Sequence, residues 1–190
     1  MLLAFTHRSN NINSMKPLKY HRALVALHWL LAILLIVALV MGTFFLKTVP
    51  NASPDKIDAL RGHMIAGGLI FVLTLLRIVV RLKTAHPAPA STGYVVLDRL
   101  APAIHWGLYA LVLLMASSGI AISVLAGLPA IEFNGAGSLP VNFDALPPRV
   151  AHGILANLLM IAIALHVAAA LFHQFVRKDG LLSRMSFGRK

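Results

Sequence analysis

Residues 151–173 read AHGILANLLMIAIALHVAAALFH. The stretch lies inside an apolar run, Val150–Val176, that exceeds the about 20 residues an α-helix needs to cross a bilayer. Ionisable groups at that depth are costly, so histidines there are candidates for function. His152 and His166 are fourteen residues apart. That is close to four helical turns, so both rings lie on one face, about 21 Å apart along the axis. One helix thus presents an imidazole near each surface of a membrane, and each can hold one metal centre.

Three further runs are long enough to span: Ala23–Leu46, His63–Leu82 and Pro102–Leu125. With 58% hydrophobic residues and a mean hydropathy of +0.81, the chain is too apolar for an ordinary soluble domain. The expected fold is all-α, a transmembrane four-helix bundle in one domain over residues 20–184. Residues 1–19 read as a disordered extension and 185–190 as a basic tail. Met1–Ser14 lacks the apolar core of a signal peptide, and Met15-Lys16-Pro17, leading into a basic flank, is a candidate start.

The net charge of +11 does not point to nucleic acid once its distribution is considered. Basic residues gather before the first span (Arg8, Lys16, Lys19, Arg22), between the second and third (Arg77, Arg81, Lys83, Arg99) and after the fourth (Arg177, Lys178, Arg184, Arg189, Lys190). With four spans these all fall on one side, which the positive-inside rule makes cytoplasmic, together with both termini. There they serve topology and contact with anionic lipid. The other side has Lys47, Lys56, Arg61 and Arg149, balanced by Asp55, Asp58, Glu132 and Asp144. Trp29 and Trp106, near the inner helix ends, read as interfacial anchors.

The chain has no cysteine. That excludes disulfides, iron–sulfur clusters and covalently attached haem. Histidine is then the natural ligand, and depth sorts the histidines. His63, opening the second span, and His152 form the outer level. His28, His105, His166 and His173 crowd the inner level. Ligation of one metal from two helices of a bundle pairs His63 with His152, and His166 with either His28 or His105. Arg77 lies fourteen residues after His63 on the same face, and Arg81 one turn further. A guanidinium at that depth needs an anion, which haem propionates supply. Gly67 and Gly68, one turn from His63, would let a flat macrocycle approach the helix backbone.

Several motifs taken together resemble the bacterial cytochrome b561 family, from about Lys19 to Arg184. They are Tyr20-His21-Arg22 with His28-Trp29-Leu30, Arg61-Gly62-His63-Met64-Ile65-Ala66-Gly67, Leu73-Thr74-Leu75-Leu76-Arg77 with Arg81-Leu82, His105-Trp106-Gly107-Leu108-Tyr109, Ala151-His152-Gly153, and Leu165-His166 through His173. The resemblance implies two b haems in a four-helix bundle of the bacterial inner membrane, with ligand pairs His28/His166 and His63/His152. It does not make His105 an expected ligand, and it implies quinone chemistry. A compact subgroup of the family is thought to oxidise superoxide and reduce ubiquinone.

Two bis-histidine centres suit passage of electrons, since neither has an open coordination site. The expectation is a membrane cytochrome moving electrons between a donor at the outer face, with superoxide as a candidate, and ubiquinone in the membrane. His105 and His173 are candidates for propionate or quinone contacts, and imidazole titrates in the range a quinone proton requires. The alternative is a haem-bearing subunit serving a separate dehydrogenase or periplasmic redox protein, docked on the long loop Gly127–Pro148. A third reading, a carrier of bare metal ions, lacks the intramembrane carboxylates it would need.

Overall fold

A computed structural model describes residues 19–89 and 95–187. Residues 1–18 of the N-terminal extension and residues 188–190 of the basic tail lie outside those residues. Four long helices dominate: α1 (Arg22–Val40), α2 (Pro54–Lys83), α3 (Val95–Leu125) and α5 (Pro147–Phe172), with a short α4 (Leu128–Asn134) between the last two. α1 and α5 each end in a π-helical turn, Met41–Phe45 and His173–Arg177. With those turns, four segments have the length and apolarity to cross a membrane, at mean hydropathies of 2.2 to 2.9. Their outward faces carry Ile33, Val72, Leu114, Ile161 and many other large apolar side chains, as a lipid-facing surface requires. Helices suit that setting because each closes its backbone hydrogen bonds internally.

Consecutive helices pack side by side, α1 on α2, α2 on α3 and α3 on α5. α1 and α5, which would close the ring, are not closely packed. One buried residue from each helix meets at mid-height: Leu31, Ile70, Val112 and Leu159. Leu159 is wholly buried. This layer divides the interior into two halves, one towards each end of the bundle.

Both flanks of the bundle meet at one end. Tyr20 N donates to Arg184 O at 3.2 Å, Lys19 Nζ to Ser186 Oγ at 3.1 Å, and Trp29 Nε1 to Met185 O at 2.9 Å. Trp29 therefore pins the 3₁₀ segment Leu181–Met185 beneath α1, a more specific role than interfacial anchoring. We call this the terminal end.

At the far end two features differ from the sequence reading. α2 starts at Pro54, so His63 sits well inside a helix instead of opening it. Ser53 and Pro54 supply the start, with proline in the first turn where its missing N–H costs nothing. The long third loop contains α4, bracketed by Gly127 (φ 63°) and Gly135 (φ 65°); both glycines take the left-handed conformation that side chains resist. α4 packs on α2 and α3 and is tied down by Arg61 Nε, which donates to Glu132 O at 2.7 Å. Asn51 Nδ2 donates to Pro140 O at 2.7 Å and joins the first loop to the third. Lys56 is buried; its ammonium holds the turn that follows the first span by donating to Leu46 O and to Val49 O.

Glu132 is not one of the solvated counter-charges the sequence suggests. Its residue is 1% exposed and neither carboxylate oxygen has a partner. Burial pushes its carboxyl above the usual range, Arg61 opposes that shift, and Asp58 adds to it. A carboxyl raised in the fold costs stability once pH exceeds its unfolded value, and the cost grows until pH passes its folded value. Glu132→Gln is therefore expected to stabilise the protein at pH 8 by about 1 kcal/mol, which is about 2–4 °C in Tm for a chain this size. The gain should shrink as pH falls toward about 4. Thermal unfolding of both forms across pH checks this; a gain independent of pH would sink it.

Candidate functional site

Two histidine pairs occupy the two halves of the bundle. Towards the far end, His63 of α2 faces His152 of α5, with ring centroids 6.2 Å apart and planes at 76°. Towards the terminal end, His28 of α1 faces His166 of α5, again at 6.2 Å, with planes at 71°. A metal–imidazole bond of about 2.0–2.1 Å on each side, with ring nitrogens about 1.1 Å from their centroids, puts two trans imidazoles about 6.3 Å apart. Both pairs thus have the separation of two rings on opposite sides of one metal ion. All four rings are half-buried. In each pair α5 supplies one ring and another helix supplies the other, so α5 is the common scaffold of both.

The far pair lines a cavity of about 170 Å³ that touches all four long helices. Its walls are apolar: Leu35 and Leu39 from α1, Ile70 from α2, Val112 and Ala116 from α3, Leu159 from α5. Gly67 and Gly68 also line it, and a Cβ added at either meets no atom within 4 Å. These glycines leave space that a side chain would fill, against the bare backbone of α2. Elsewhere glycine lets a helix press on the rings. A Cβ at Gly42 would stand 3.4 Å from His63 Cε1, and one at Gly119 would stand 3.2 Å from His152 Cε1.

The far rings are held differently. His152 Nδ1 lies 2.9 Å from Ser118 Oγ, whereas His63 Nδ1 is buried without a partner. An unpaired ring nitrogen inside an apolar wall is costly in an isolated protein and is an expected feature where a bound group fixes the ring by its other nitrogen.

At the terminal end, His105 also lies near His166, at 5.7 Å and 87°. Its setting separates it from His28. His105 is exposed and its Nδ1 is 2.6 Å from Ala101 O on its own helix, while His28 faces the interior. Arg77 reaches across to α1 and donates to Leu24 O, one turn before His28, with its guanidinium 6.0 Å from the Tyr109 ring. Arg81 lies 5.9 Å from the Trp106 ring. The two arginines therefore stand among aromatic side chains at the terminal level, as basic groups facing any acidic ligand there.

His173 is not a member of either pair. It sits in the π-helical turn that ends the α5 span, and its Nδ1 is 2.5 Å from Asp179 Oδ2. Arg177 Nε lies 3.8 Å from the same oxygen, and Asp179 Oδ1 accepts from Leu181 N at 3.1 Å. Among the described residues no three histidine, aspartate or glutamate side chains gather around one point. The donors at hand are thus paired imidazoles, which suit a metal whose remaining ligands come from elsewhere.

The sequence reading named the histidines but missed Ser118 and Gly119, which touch His152. The signal was present: Ser117-Ser118-Gly119 interrupts an apolar span with small residues, a pattern of close approach in membrane helices.

The hydrogen bond from His173 holds the Asp179 carboxyl below its usual range. A lowered carboxylate stabilises the fold above its unfolded value and loses that contribution as pH falls through its folded value. Asp179→Ala should therefore loosen the segment Leu181–Met185 and speed tryptic cleavage at Arg184 at neutral pH; protonation of the native carboxylate below about pH 4 removes the same contact. Equal cleavage rates in variant and native protein at neutral pH would show that the contact does not anchor the segment.

The family model for prokaryotic cytochrome b561 matches residues 19–188. Among curated relatives, the chain is 31% identical over 171 residues to a probable superoxide oxidase CybB of Yersinia pestis, covering 88% of this chain and 95% of the relative. It is 30% identical over 169 residues to cytochrome b562 of Cereibacter sphaeroides, covering 87% and 94%. It is 28% identical over 177 residues to cytochrome b561 homolog 1 of Escherichia coli K12, covering 90% and 99%.

Proposed function

This chain belongs to the prokaryotic cytochrome b561 family, multi-pass inner-membrane b-type cytochromes of electron transfer, and from that membership we propose that it carries two b haems and passes electrons between a donor at the far face and quinone. In this reading His63 and His152 hold the haem near the far end, and His28 and His166 hold the one near the terminal end. The observation that carries it is the pair of 6.2 Å imidazole separations, one in each half of the bundle. The glycine-lined cavity beside the far pair and the partnerless Nδ1 of His63 support it further. When bound, each haem would supply a one-electron iron couple.

The chain's own groups then have defined tasks. The apolar walls of the far cavity keep water from the ring nitrogens. Arg77 and Arg81 meet acidic substituents at the terminal level through charge-assisted bonds. His173, held by Asp179 at the surface of that end, can give or take a quinone proton. The terminal end, with its basic flanks, faces the cytoplasm in this reading.

The far face is where a donor would be received. Of the four basic residues there, Arg61 is paired with Asp58 at 2.7 Å, Arg149 lies 3.8 Å from Asp144, and Lys56 is turned inward. A small anion would therefore be drawn by a weak local field, not by a strongly basic funnel. Superoxide is the donor we propose, because one relative is named a probable superoxide oxidase and this chain aligns with nearly all of it.

Pyridine haemochrome quantification on the purified protein should give two b haems per chain. His152→Ala and His28→Ala should each leave one, at opposite levels. Retention of two bis-histidine centres in either variant would overturn the pairing. Superoxide should reduce the haems rapidly and, with ubiquinone present, leave quinol as product. Two haems inert to superoxide would instead favour a subunit that serves a separate redox partner.

A further inference from the structure

Ser118 is a half-buried hydroxyl on α3. It donates its only hydrogen to Met115 O at 2.7 Å. A hydroxyl has one hydrogen to give; with it on Met115 O, which can only accept, the oxygen accepts from His152 Nδ1, 2.9 Å away. Nδ1 therefore carries the ring proton, and the lone pair is on Nε2. The next residue fixes the ring sterically: a Cβ at Gly119 would stand 3.2 Å from Cε1 and 3.6 Å from Nδ1. Across the cavity, His63 Nδ1 has no partner at all. The two rings of the far pair are thus unequal, one oriented by a hydrogen bond and the other not.

We propose that Ser118 is a positioning residue for the far haem: it holds His152 with Nε2 as the ligand nitrogen and lowers the reduction potential of that centre. The proposal rests on the reading of His152 as an axial ligand. A hydrogen bond from Nδ1–H makes the imidazole a more basic ligand, and a more basic ligand favours the oxidised, more positive metal. At the other end, Arg77 places a fixed positive charge on the carbonyl of Leu24, the same carbonyl that the α-helix gives to the His28 amide. Positive charge favours the reduced metal. Arg149, one turn before His152, has its charge offset by Asp144 3.8 Å away, so with haem bound both effects would favour an electron at the terminal-end centre over the far one, with no bond or proton changing place.

The test is a redox titration of purified Ser118→Ala, Ser118→Thr and Ser117→Ala, read optically with both haems bound. The His152→Ala form, which keeps only the terminal-end haem, identifies which wave belongs to which centre. In Ser118→Ala the far centre should become easier to reduce by threefold or more in its equilibrium constant, about 28 mV at 59 mV per decade for one electron. The other centre should stay put. Threonine, which keeps the hydroxyl, should restore the native value, and alanine at the exposed Ser117 should change nothing. Loss of the far haem in Ser118→Ala with recovery in Ser118→Thr would also support the role, as would altered low-spin resonance of that haem alone. Two haems with unshifted potentials in Ser118→Ala would overturn it while leaving the di-haem reading intact. So would a loss that threonine does not repair. Two haems retained in His152→Ala would instead overturn the di-haem pairing itself.

Discussion

The structure depends on one constraint: a ring with lone pairs and an N–H must be kept inside helices whose surroundings are hydrocarbon. Each polar ring buried without a partner costs free energy, and this bundle buries four in two facing pairs. The pairs do not bond to each other; at 6.2 Å between centroids they are too far apart for a direct hydrogen bond and too close for an intervening side chain. Close packing between α1 and α5 would shut that space. Their separation, with glycine wherever a helix backbone presses on a far ring or faces the cavity, keeps it open. The apolar layer of Leu31, Ile70, Val112 and Leu159 then carries the packing between the two levels.

The ends of the bundle are held by different means. At the far end, buried charge is used as a fastener. Lys56 binds the carbonyls of the turn after the first span, and Arg61 ties α4 through its backbone while pairing with Asp58. Hydrogen bonds to charged donors are worth about 1.5–3 kcal/mol, more than neutral ones, which suits short elements that bury little apolar area. At the terminal end the fasteners are tryptophan, arginine and backbone: Trp29 to Met185, Arg184 Nη1 to Ala88 O at 2.7 Å, and Tyr20 to Arg184. These draw the first helix, the second loop and the C-terminal segment into one surface beneath the His28–His166 pair.

Much of this was legible in the sequence because the span interiors are decided by hydropathy alone, and lipid enforces that signal strictly. The helix ends were not, because they leave the hydrocarbon. Polar Pro54–Gly62 hides the first turns of α2 from a hydropathy reading, although Ser53 and Pro54 are helix-start residues. α4 is short and sits in a glycine- and proline-rich stretch, so only Gly127 and Gly135 on either side mark it. Histidine depth sorted the rings into two levels, since rise per residue is fixed in a helix. It could not choose between His28 and His105, which lie on different helices at the same depth. That choice depends on which way each ring points, and orientation is a property of the packed bundle. Glu132 and Ser118 fail for the same reason. A carboxylate with no partner, or a hydroxyl whose hydrogen is already committed, shows itself only when neighbours from other helices are in place.

The inequality of the two levels bears on direction. A symmetrical pair of sites would let an electron rest equally at either end, and any net flow would be imposed by donor and acceptor alone. Here the terminal level carries Arg77 and Arg81 among aromatic rings, while at the far level Arg149, one turn before His152, has Asp144 3.8 Å away to offset its charge, and one ring is oriented by a hydroxyl oxygen. Positive charge near one centre and a more basic ligand at the other act in the same sense, each through a lever by which a protein sets a metal's potential without changing its ligands. In the di-haem reading, these side chains would favour one direction of flow while touching no donor or acceptor.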